Sequence, residues 1–454
     1  MKRIYKYSTL IIALVVLLPV REAPREPGWH EEGVDRPGEG HVPVHDMIQN
    51  WCSDLDETRE LDETVTRFMK RWDIVGASLA ITRGGKLAYS KGYGHADKEG
   101  GVAMDVNHIF RVASISKLIT AAGVMRLVEE GRLSLESTVF GRGGILDDSL
   151  FSRHADPRIA CVTVEHLLRH QGGFSSRGAD PMFNPVRVAR EMNEEPPADL
   201  NTIIRYALSR RLGFSPGSSS SYSNVGYGIL TRVIEKVSGM EYEEFIRENI
   251  LLPAGCVDMH LGRNLASDRY PNEVKYYEPD DARKVPACTG EPLLVFGSDG
   301  GNNIEELRGA GGWVASPTEL ARLLLAIDGD PSFPDVLSPG SIETMTGYRA
   351  GALPIGWTRA GENGEWWRTG TLAGTSAIMK RERDGTCWVF ITNTSNWTGA
   401  RFPYKINDMV KQAIGRVEEW PDRDLFDPVY QRDLYRSREY LADDASPAPV
   451  PFEI

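Results

Sequence analysis

The stretch that most restricts the fold of this chain runs from Phe110 to Gly131 and reads FRVASISKLITAAGVMRLVEEG. Between Leu118 and Val128 the apolar run is interrupted only by Thr120, Gly123 and Arg126. A helix that is apolar nearly all round must be buried on most of its sides. The rest of the chain is therefore expected to pack around this helix, and Gly131 is typical of the residue that ends one.

Ser114 and Lys117 stand at the start of this helix, three residues apart, so their side chains are expected on the same face. A serine hydroxyl becomes a good nucleophile when a neighbouring group removes its proton, and a lysine can do so only when it is neutral. The reference pKa of a lysine side chain lies roughly 3 units above neutrality. Burial, a second cation and the positive end of a helix all lower that pKa. The pair fits nucleophilic catalysis, although S-x-x-K alone also occurs by chance.

Charge and cysteine usage exclude several classes of protein. The net charge is -12 without any basic stripe, which does not fit a nucleic-acid partner. The cysteines are five in number and scattered, so neither a disulfide framework nor a C-x-x-C site is indicated, although one disulfide remains open. His166 and His170 have the spacing of a metal pair, but no third ligand follows at motif-like spacing, which favours a structural role. We expect no metal and no organic cofactor.

The N-terminus has the pattern of an export signal. Lys2, Arg3 and Lys6 precede an apolar run from Leu10 to Leu18 that is short for a membrane span. Residues 1–20 are therefore predicted to be a signal peptide or an uncleaved signal anchor, and residues 21–55 a polar leader. The protein is expected to be periplasmic or extracellular, with membrane contact only through that anchor.

The pattern of elements predicts an α/β (α+β) sandwich over residues 56–415. A helix over 56–73 precedes two strands, GASLAITR and KLAYSKGYG, joined at Gly84-Gly85. Helical periodicity covers 163–173, 200–212, 225–237 and 242–250, which gives a mostly helical insertion over about 132–310. From residue 311, short strands including IGWTR, EWWRTG, TSAIMKRE and TCWVFITN favour an antiparallel sheet, flanked by helices such as 402–414. The tail over 416–454 is expected to be draped or disordered.

Two further motifs supply candidate site residues. Tyr222 and Asn224 lie in the loop before a helix, where a phenol can relay a proton and an amide can hold a substrate carbonyl. Asn224 is equally suited to cap that helix. Downstream, the sequence WWRTGTLAGTSAIM places Arg368, Thr369, Gly370 and Thr371 on a strand, and the glycine permits a close backbone approach. The N–H groups of Thr371 and Ser114 would then form an oxyanion hole.

In these motifs the chain resembles the serine β-lactamase and penicillin-binding-protein superfamily, in particular its class C-like branch of β-lactamases, DD-peptidases and related esterases. The resemblance covers about residues 64–393. It implies an active site between sheet and helical region, with Ser114 as the acylated nucleophile and Lys117 as its base partner. Tyr222 would move protons to the leaving group and activate the deacylating water. Asn224 and residues 368–371 would bind substrate.

The resemblance implies a serine hydrolase that cleaves an amide or ester bond of a small-molecule or peptide acyl substrate. The family usually has Lys or His where this chain has Arg368. Arginine cannot lose its proton, so this residue is expected to hold a substrate carboxylate and to act as a fixed cation. This departure makes an esterase or a peptidase more plausible than an efficient β-lactamase. The alternative is a catalytically silent relative that acts as a penicillin-binding-like sensor or a scaffold.

Overall fold

A computed structural model of the chain describes residues 48–174 and 180–444, with side chains as far as residue 437. The predicted signal over 1–20, and the polar leader as far as residue 47, lie outside the described residues. Within the described ranges, no helix combines the length and the apolar character needed to cross a membrane. All five cysteines fall in the described part, and none of them forms a disulfide.

The strands are short after the first hairpin, and the longest ones build a single sheet. In chain order they are β1 (Gly76–Arg83), β2 (Lys86–Asp97), β3 (Val102–Ala103), β4 (Phe110–Arg111), β5 (His260–Leu261), β6 (Val285–Pro286), β7 (Leu294–Val295), β8 (Trp313–Ala315), β9 (Trp366–Leu372), β10 (Thr375–Arg381) and β11 (Cys387–Thr392). The main sheet has the order β3-β2-β1-β11-β10-β9, with antiparallel neighbours throughout. The structure confirms an antiparallel sheet made from the first hairpin and the C-terminal strands.

The helices lie on both faces of that sheet and fill the middle of the chain. They are α1 (Arg59–Arg71), α2 (Ser116–Glu129), α3 (Val164–Leu168), α4 (Pro185–Met192), α5 (Leu200–Leu208), α6 (Asn224–Ser238), α7 (Tyr242–Ile246), α8 (Ile304–Gly311), α9 (Pro317–Leu325), α10 (Pro339–Thr346), α11 (Phe402–Ile414) and α12 (Pro428–Asp444). Alternate residues of β1 divide between two apolar clusters. Leu79 packs with α1 and α11, whereas Ala80 joins the larger cluster that contains α2. The result is the predicted sandwich.

Helix α2 is the buried centre of the helical region, as its sequence predicts. Its residues from Ser116 to Met125 are all buried, and α6 and α8 pack against it. Gly131 has a φ of +67°, the left-handed conformation expected of the residue that follows the last turn of a helix. Ser114, however, precedes the helix: it lies in a 3-10 turn, Ala113–Ile115, and Lys117 lies in the first turn of α2.

Several expectations about local structure are wrong. Residues 355–359 form no strand, and only Arg359 makes an isolated bridge, to Trp367. Helices α4 and α10, which are not among the predicted helical segments, both begin at prolines. Asn224 does not cap α6: the Ser223 hydroxyl accepts a hydrogen bond from the Gly226 N–H at 3.0 Å, and Asn224 is the first helical residue.

The C-terminal segment is more ordered than its composition suggests. Arg423 is buried and donates hydrogen bonds to the carbonyls of Cys52 and Ala88. Leu425 and Phe426 are also buried, and α12 follows them. The segment from residue 418 is therefore draped over the core as far as α12, because two apolar side chains and one guanidinium anchor a stretch that is otherwise charged.

Candidate active site

Ser114 lies where the turn before α2 meets the edge strand β9. Its side chain is half-buried, and Ala113 just before it has a φ of +49°, an uncommon conformation for a residue with a side chain. Gly370 makes this contact possible. A Cβ atom on Gly370 would lie 2.2 Å from the carbonyl oxygen of Val112 and 3.1 Å from the Ser114 nitrogen. The glycine is therefore required for β9 to approach the serine backbone.

Lys117 is fully buried and its ammonium nitrogen is surrounded by oxygen acceptors. Nζ lies 3.4 Å from the Ser114 hydroxyl and 2.7 Å from the Oδ1 atom of Asn224. It also donates to the carbonyl of Ala310 in α8. The ring of Tyr222 lies 4.8 Å from Nζ. A lysine in this position touches the serine hydroxyl directly, as the three-residue spacing predicts.

Tyr222 brings a phenol to the same hydroxyl from the loop before α6. Its oxygen lies 2.6 Å from the Ser114 hydroxyl, while 42 % of the residue remains exposed. The imidazole of His170 packs beside the phenol ring at 4.7 Å between centroids. The His170 Nδ1 atom accepts a hydrogen bond from the Ser223 N–H at 3.1 Å, which fixes the end of the loop. Tyr222 is thus held in place by these contacts, with part of its side chain exposed to solvent.

The net effect of the surroundings is to lower the pKa values of both Lys117 and Tyr222. Burial and, to a smaller extent, the nearby Arg368 guanidinium lower the pKa of Lys117 to about 8, against the opposing effect of Tyr222. Burial raises the pKa of Tyr222, but the positive charges of Lys117 and Arg368 outweigh it and hold that pKa below its usual value. The pKa of His170 is well below its usual value, because it is buried beside the same two cations.

Arg368 is buried at the edge of the sheet and contacts both the backbone of Ser114 and the phenol of Tyr222. Its Nε atom donates to the Ser114 carbonyl at 2.8 Å, and its Nη2 atom donates to the Tyr222 oxygen at 3.2 Å. Only 2 % of the residue is exposed. These contacts fit the fixed cation that we expected at this position. A direct contact with a substrate carboxylate stays a prediction, since these two donors are already engaged.

Replacing Arg368 by alanine is expected to lower kcat/KM for a neutral ester at pH 7 by about tenfold. Its charge lowers the pKa values of both Lys117 and Tyr222, so its removal raises both and leaves less neutral amine at pH 7. The acidic limb of the pH profile should move to higher pH, with partial recovery of the rate in alkaline solution. Arg359→Ala is the control, because that guanidinium stacks on Trp367 near the same strand without reaching the serine.

An unmoved acidic limb would contradict this role of Arg368. The same variant tests the carboxylate role when a neutral ester is compared with one that carries a carboxylate. A larger loss for the charged ester supports a direct contact with substrate, and equal losses remove it.

The remaining predicted site residues lie on both sides of the serine. Asn224 uses both ends of its amide inside the protein: Oδ1 accepts from Lys117, and Nδ2 donates to Asp180 at 2.7 Å. Thr369 and Thr371 lie on β9 on either side of Gly370, and the Thr369 N–H donates to the Thr358 hydroxyl at 3.2 Å. The substrate-binding roles of these residues, including the Thr371 N–H in an oxyanion hole, stay predictions.

The two histidines at metal-pair spacing have separate structural contacts. The His166 Nδ1 atom accepts from the Thr163 N–H at 3.2 Å and completes a capping box at the start of α3. His170 adopts a φ of +59° after that helix and supports the Tyr222 loop. Throughout residues 48–174 and 180–444, no three His, Cys, Asp or Glu side chains converge in a way that suits a metal ion.

Three contributors to the site carry no sequence signal that connects them with Ser114. Asp180 lies in a polar stretch without periodicity, the Ala310 carbonyl is a backbone atom, and His170 follows a short helix in an unusual conformation. Each reaches the site only because the helical region folds back onto α2. Ser114 and Lys117 can be recognised from side-chain type and short spacing, whereas Tyr222 is connected with them by the resemblance of its motif.

Comparison with known proteins places these features in a family. The family model described as "Beta-lactamase" matches residues 61–408. Esterase EstB of Burkholderia gladioli is 27 % identical over 315 residues, which cover 65 % of this chain and 77 % of the esterase. Protein flp of Staphylococcus aureus (strain MW2) is 26 % identical over 198 residues, which cover 44 % of this chain and only 37 % of that protein.

Among solved structures, the D-amino acid amidase from Ochrobactrum anthropi SV3, in complex with D-phenylalanine, has a TM-score of 0.62. The match is 22 % identical and covers 80 % of this chain and 99 % of the amidase. At this identity the likeness shows the fold. It agrees with the sheet and helix arrangement described above.

Proposed function

Because the chain belongs to the Beta-lactamase family, whose members include serine hydrolases, we propose that it cleaves an ester or amide bond through an acyl-enzyme on Ser114. One observation carries this proposal: the Ser114 hydroxyl contacts the phenol of Tyr222 at 2.6 Å and the buried amine of Lys117 at 3.4 Å. A hydroxyl between two groups that can move protons is the arrangement that nucleophilic catalysis needs.

In the proposed acylation step, the Ser114 oxygen attacks the substrate carbonyl carbon and its proton passes to neutral Lys117. With a pKa of about 8, the amine is neutral in part of the molecules at pH 7 and strong enough to accept the proton. The Tyr222 hydroxyl, free of the serine once the ester bond has formed, donates its proton to the leaving group. Lys117 returns a proton to the phenol, which restores both groups.

Deacylation would run the same proton path in reverse. A water molecule takes the place of the leaving group beside Tyr222. The phenol, whose pKa lies below its usual value, first passes its proton to neutral Lys117, and the resulting phenolate removes a proton from the water. The hydroxide attacks the acyl carbon, the bond to the Ser114 oxygen breaks to release the acid, and the Lys117 ammonium gives its proton to that oxygen. Arg368 would stabilise a phenolate during this step, because its Nη2 atom lies 3.2 Å from the phenol oxygen.

We propose an ester as the preferred substrate class, with an amide of a small acyl group second. The name of esterase EstB supports the ester, since that relative covers most of the chain, and the name of the D-amino acid amidase supports the amide. An arginine that donates to Tyr222 and to the Ser114 carbonyl is a fixed cation, so no proton relay passes through this position. That property argues against efficient β-lactam hydrolysis.

The setting of the reaction is part of the same proposal. The charged and then apolar order of residues 2–18 supports export, so the substrate would be a small acyl compound or peptide outside the cytoplasm. Membrane attachment would depend on that N-terminal segment alone, and the acidic net charge argues against a nucleic-acid partner.

Two active-site probes and one chromogenic substrate test the proposed function. We expect a fluorophosphonate to label the wild type, p-nitrophenyl esters to be hydrolysed, and a fluorescent penicillin to label weakly. Labelling by penicillin with slow ester turnover would instead indicate a penicillin-recognising enzyme. Failure of both probes together with absent ester hydrolysis would favour the silent sensor or scaffold.

A further inference from the structure

The carboxylate of Asp180 is connected to Lys117, the proposed base, through the side chain of Asn224. Asp180 lies at the start of a 3-10 turn, Pro181–Phe183, where its Oδ1 atom accepts from the Met182 N–H at 3.0 Å. Its Oδ2 atom accepts from the Asn224 Nδ2 atom at 2.7 Å. Asn224 in turn presents Oδ1 to Lys117. The three side chains form a chain of contacts that ends at the amine beside Ser114.

Asp180 fixes the direction of the Asn224 amide. An ionised carboxylate only accepts hydrogen bonds, so the NH₂ group of the amide must face Asp180 and its oxygen must face Lys117. Without the carboxylate, a flipped amide would donate to a neutral lysine equally well. The orientation of an asparagine amide follows from the network around it, and here Asp180 is the member that permits one orientation.

That orientation directs the lone pair of neutral Lys117. An uncharged amine carries two N–H bonds and one lone pair, and two acceptors lie close to Nζ: the Asn224 oxygen at 2.7 Å and the Ala310 carbonyl. Both can only accept, so they take both N–H bonds. The direction left for the lone pair is toward the Ser114 hydroxyl at 3.4 Å. A flipped Asn224 would instead donate to that lone pair and occupy it.

We propose that Asp180 is a positioning residue: it holds the Asn224 amide so that the lone pair of neutral Lys117 faces Ser114. Its charge also favours the ammonium form of Lys117, so the carboxylate sets both the direction and the strength of the base. The part of this inference that concerns reaction rate rests on the proposed hydrolase function. The part that concerns the orientation and the titration of Lys117 does not depend on that function.

The charged and titratable groups around Lys117 come from each element that packs against it. Arg368 on β9 and Tyr222 in the loop before α6 lie on the substrate side, and His170 lies behind the phenol. Tyr227 of α6 places its ring 5.6 Å from Nζ. Asp180 is the carboxylate of this set, and α8 contributes a carbonyl. Replacing Asp180 therefore removes negative charge that the other groups named here do not supply.

The test uses Asp180→Asn, which keeps the shape of the side chain. An amide cannot accept at both of its ends. If its oxygen keeps the Met182 cap, its NH₂ group faces Asn224 and forces that amide to flip. Two quantities are measured: the pH profile of kcat/KM for a neutral p-nitrophenyl ester, and the titration of Lys117 by NMR of 13Cε-lysine, assigned with Lys117→Arg.

We expect the plateau of kcat/KM to fall by about 10- to 100-fold, the range of a lost hydrogen bond to a charged or reacting group. The acidic limb and the NMR titration of Lys117 should both move to lower pH, because the carboxylate no longer stabilises the ammonium form. Asp180→Glu, which remains an acceptor only, should keep the lysine titration near the wild-type position. Asp180→Ala should move the titration in the same direction as Asp180→Asn.

Asp148→Asn is the matched control. Asp148 caps another 3-10 turn, Ser149–Phe151, through the Leu150 N–H at 3.2 Å, and lies outside the site. It should leave both measurements unchanged. Coupling is checked in an Asn224→Ala background, where the rate loss caused by Asp180→Asn should largely disappear.

The outcomes separate the two proposals. A wild type that hydrolyses no ester and is labelled by neither active-site probe refutes the hydrolase proposal, while the NMR titration still decides the role of Asp180. If the Lys117 titration in Asp180→Asn and Asp180→Ala coincides with the wild type, the positioning role is overturned, whatever happens to the rate. A lower plateau with an unmoved titration would show that Asp180 only supports the fold of its turn.

Discussion

Replacing Ser114 by alanine is expected to lower ester hydrolysis by on the order of 10⁴-fold or more and to abolish labelling by a fluorophosphonate. The loss should be this large because the variant lacks the oxygen that forms the acyl bond, while Lys117 and Tyr222 keep their positions around it. Intact-mass measurement after trapping, followed by peptide mapping, should place the wild-type adduct on Ser114. An adduct on any other residue would contradict the proposed mechanism.

Ser116→Ala is the matched control for this experiment. Ser116 is fully buried two residues later, and its hydroxyl accepts a hydrogen bond from the Trp313 N–H at 3.1 Å. Its loss leaves a buried N–H without this partner, so the free energy of unfolding should fall by about 1–3 kcal/mol. Labelling of the folded protein should persist. If both variants lose labelling equally, disruption of the turn before α2 explains the effect.

Replacing Lys117 by arginine is expected to reduce kcat/KM by about 10³-fold, within the range of general-base catalysis. The guanidinium keeps a positive charge but cannot become neutral. In the wild type, the pKa of Lys117 is lowered to about 8, so the neutral form grows as pH rises. Activity should therefore increase with pH up to about 8 and then level, and the variant should lose this limb.

The same substitution at Lys380 provides the control. Lys380 is also buried, but it forms ion pairs with Glu365 at 2.7 Å and Glu382 at 3.1 Å on the sheet side of the molecule. Arginine can keep those pairs, so Lys380→Arg should retain most of the wild-type rate and its pH limb. An active Lys117→Arg variant with an unchanged limb would show that another group removes the serine proton.

The parts of the fold that the sequence predicts best are those with strong local patterns. Helix α11 has the predicted bounds, Phe402–Ile414, and the first hairpin turns at Gly84 and Gly85, both with positive φ. The segment 355–359 alternates like a strand but pairs only at Arg359. An apolar residue of this pattern is buried without strand pairing, because Trp357 packs against Trp366. Tertiary contacts, and not the local alternation, therefore determine the conformation of this segment.

The site residues differ in the same way: some follow from local sequence patterns, and others depend on the tertiary fold. Ser114 and Lys117 share one turn of chain, so their proximity follows from helix geometry. Tyr222 and Arg368 arrive from distant segments, and only the resemblance of their motifs connected them with the serine. Asp180 could not have been found, because one aspartate in a polar segment carries no distinguishing pattern. Its importance comes from the acceptor that it presents to Asn224.

The order of strands in the main sheet has a consequence for biosynthesis. Strand β1 pairs with β11, so Ala77 meets Thr392, and a growing polypeptide has made its hairpin and its reactive serine long before that partner leaves the ribosome. One edge of the hairpin must wait unpaired, which favours protection by chaperones. A product truncated ahead of β9 would carry both Ser114 and Lys117 yet lack Gly370 and the three strands β9, β10 and β11, so we expect premature termination to yield an inactive product.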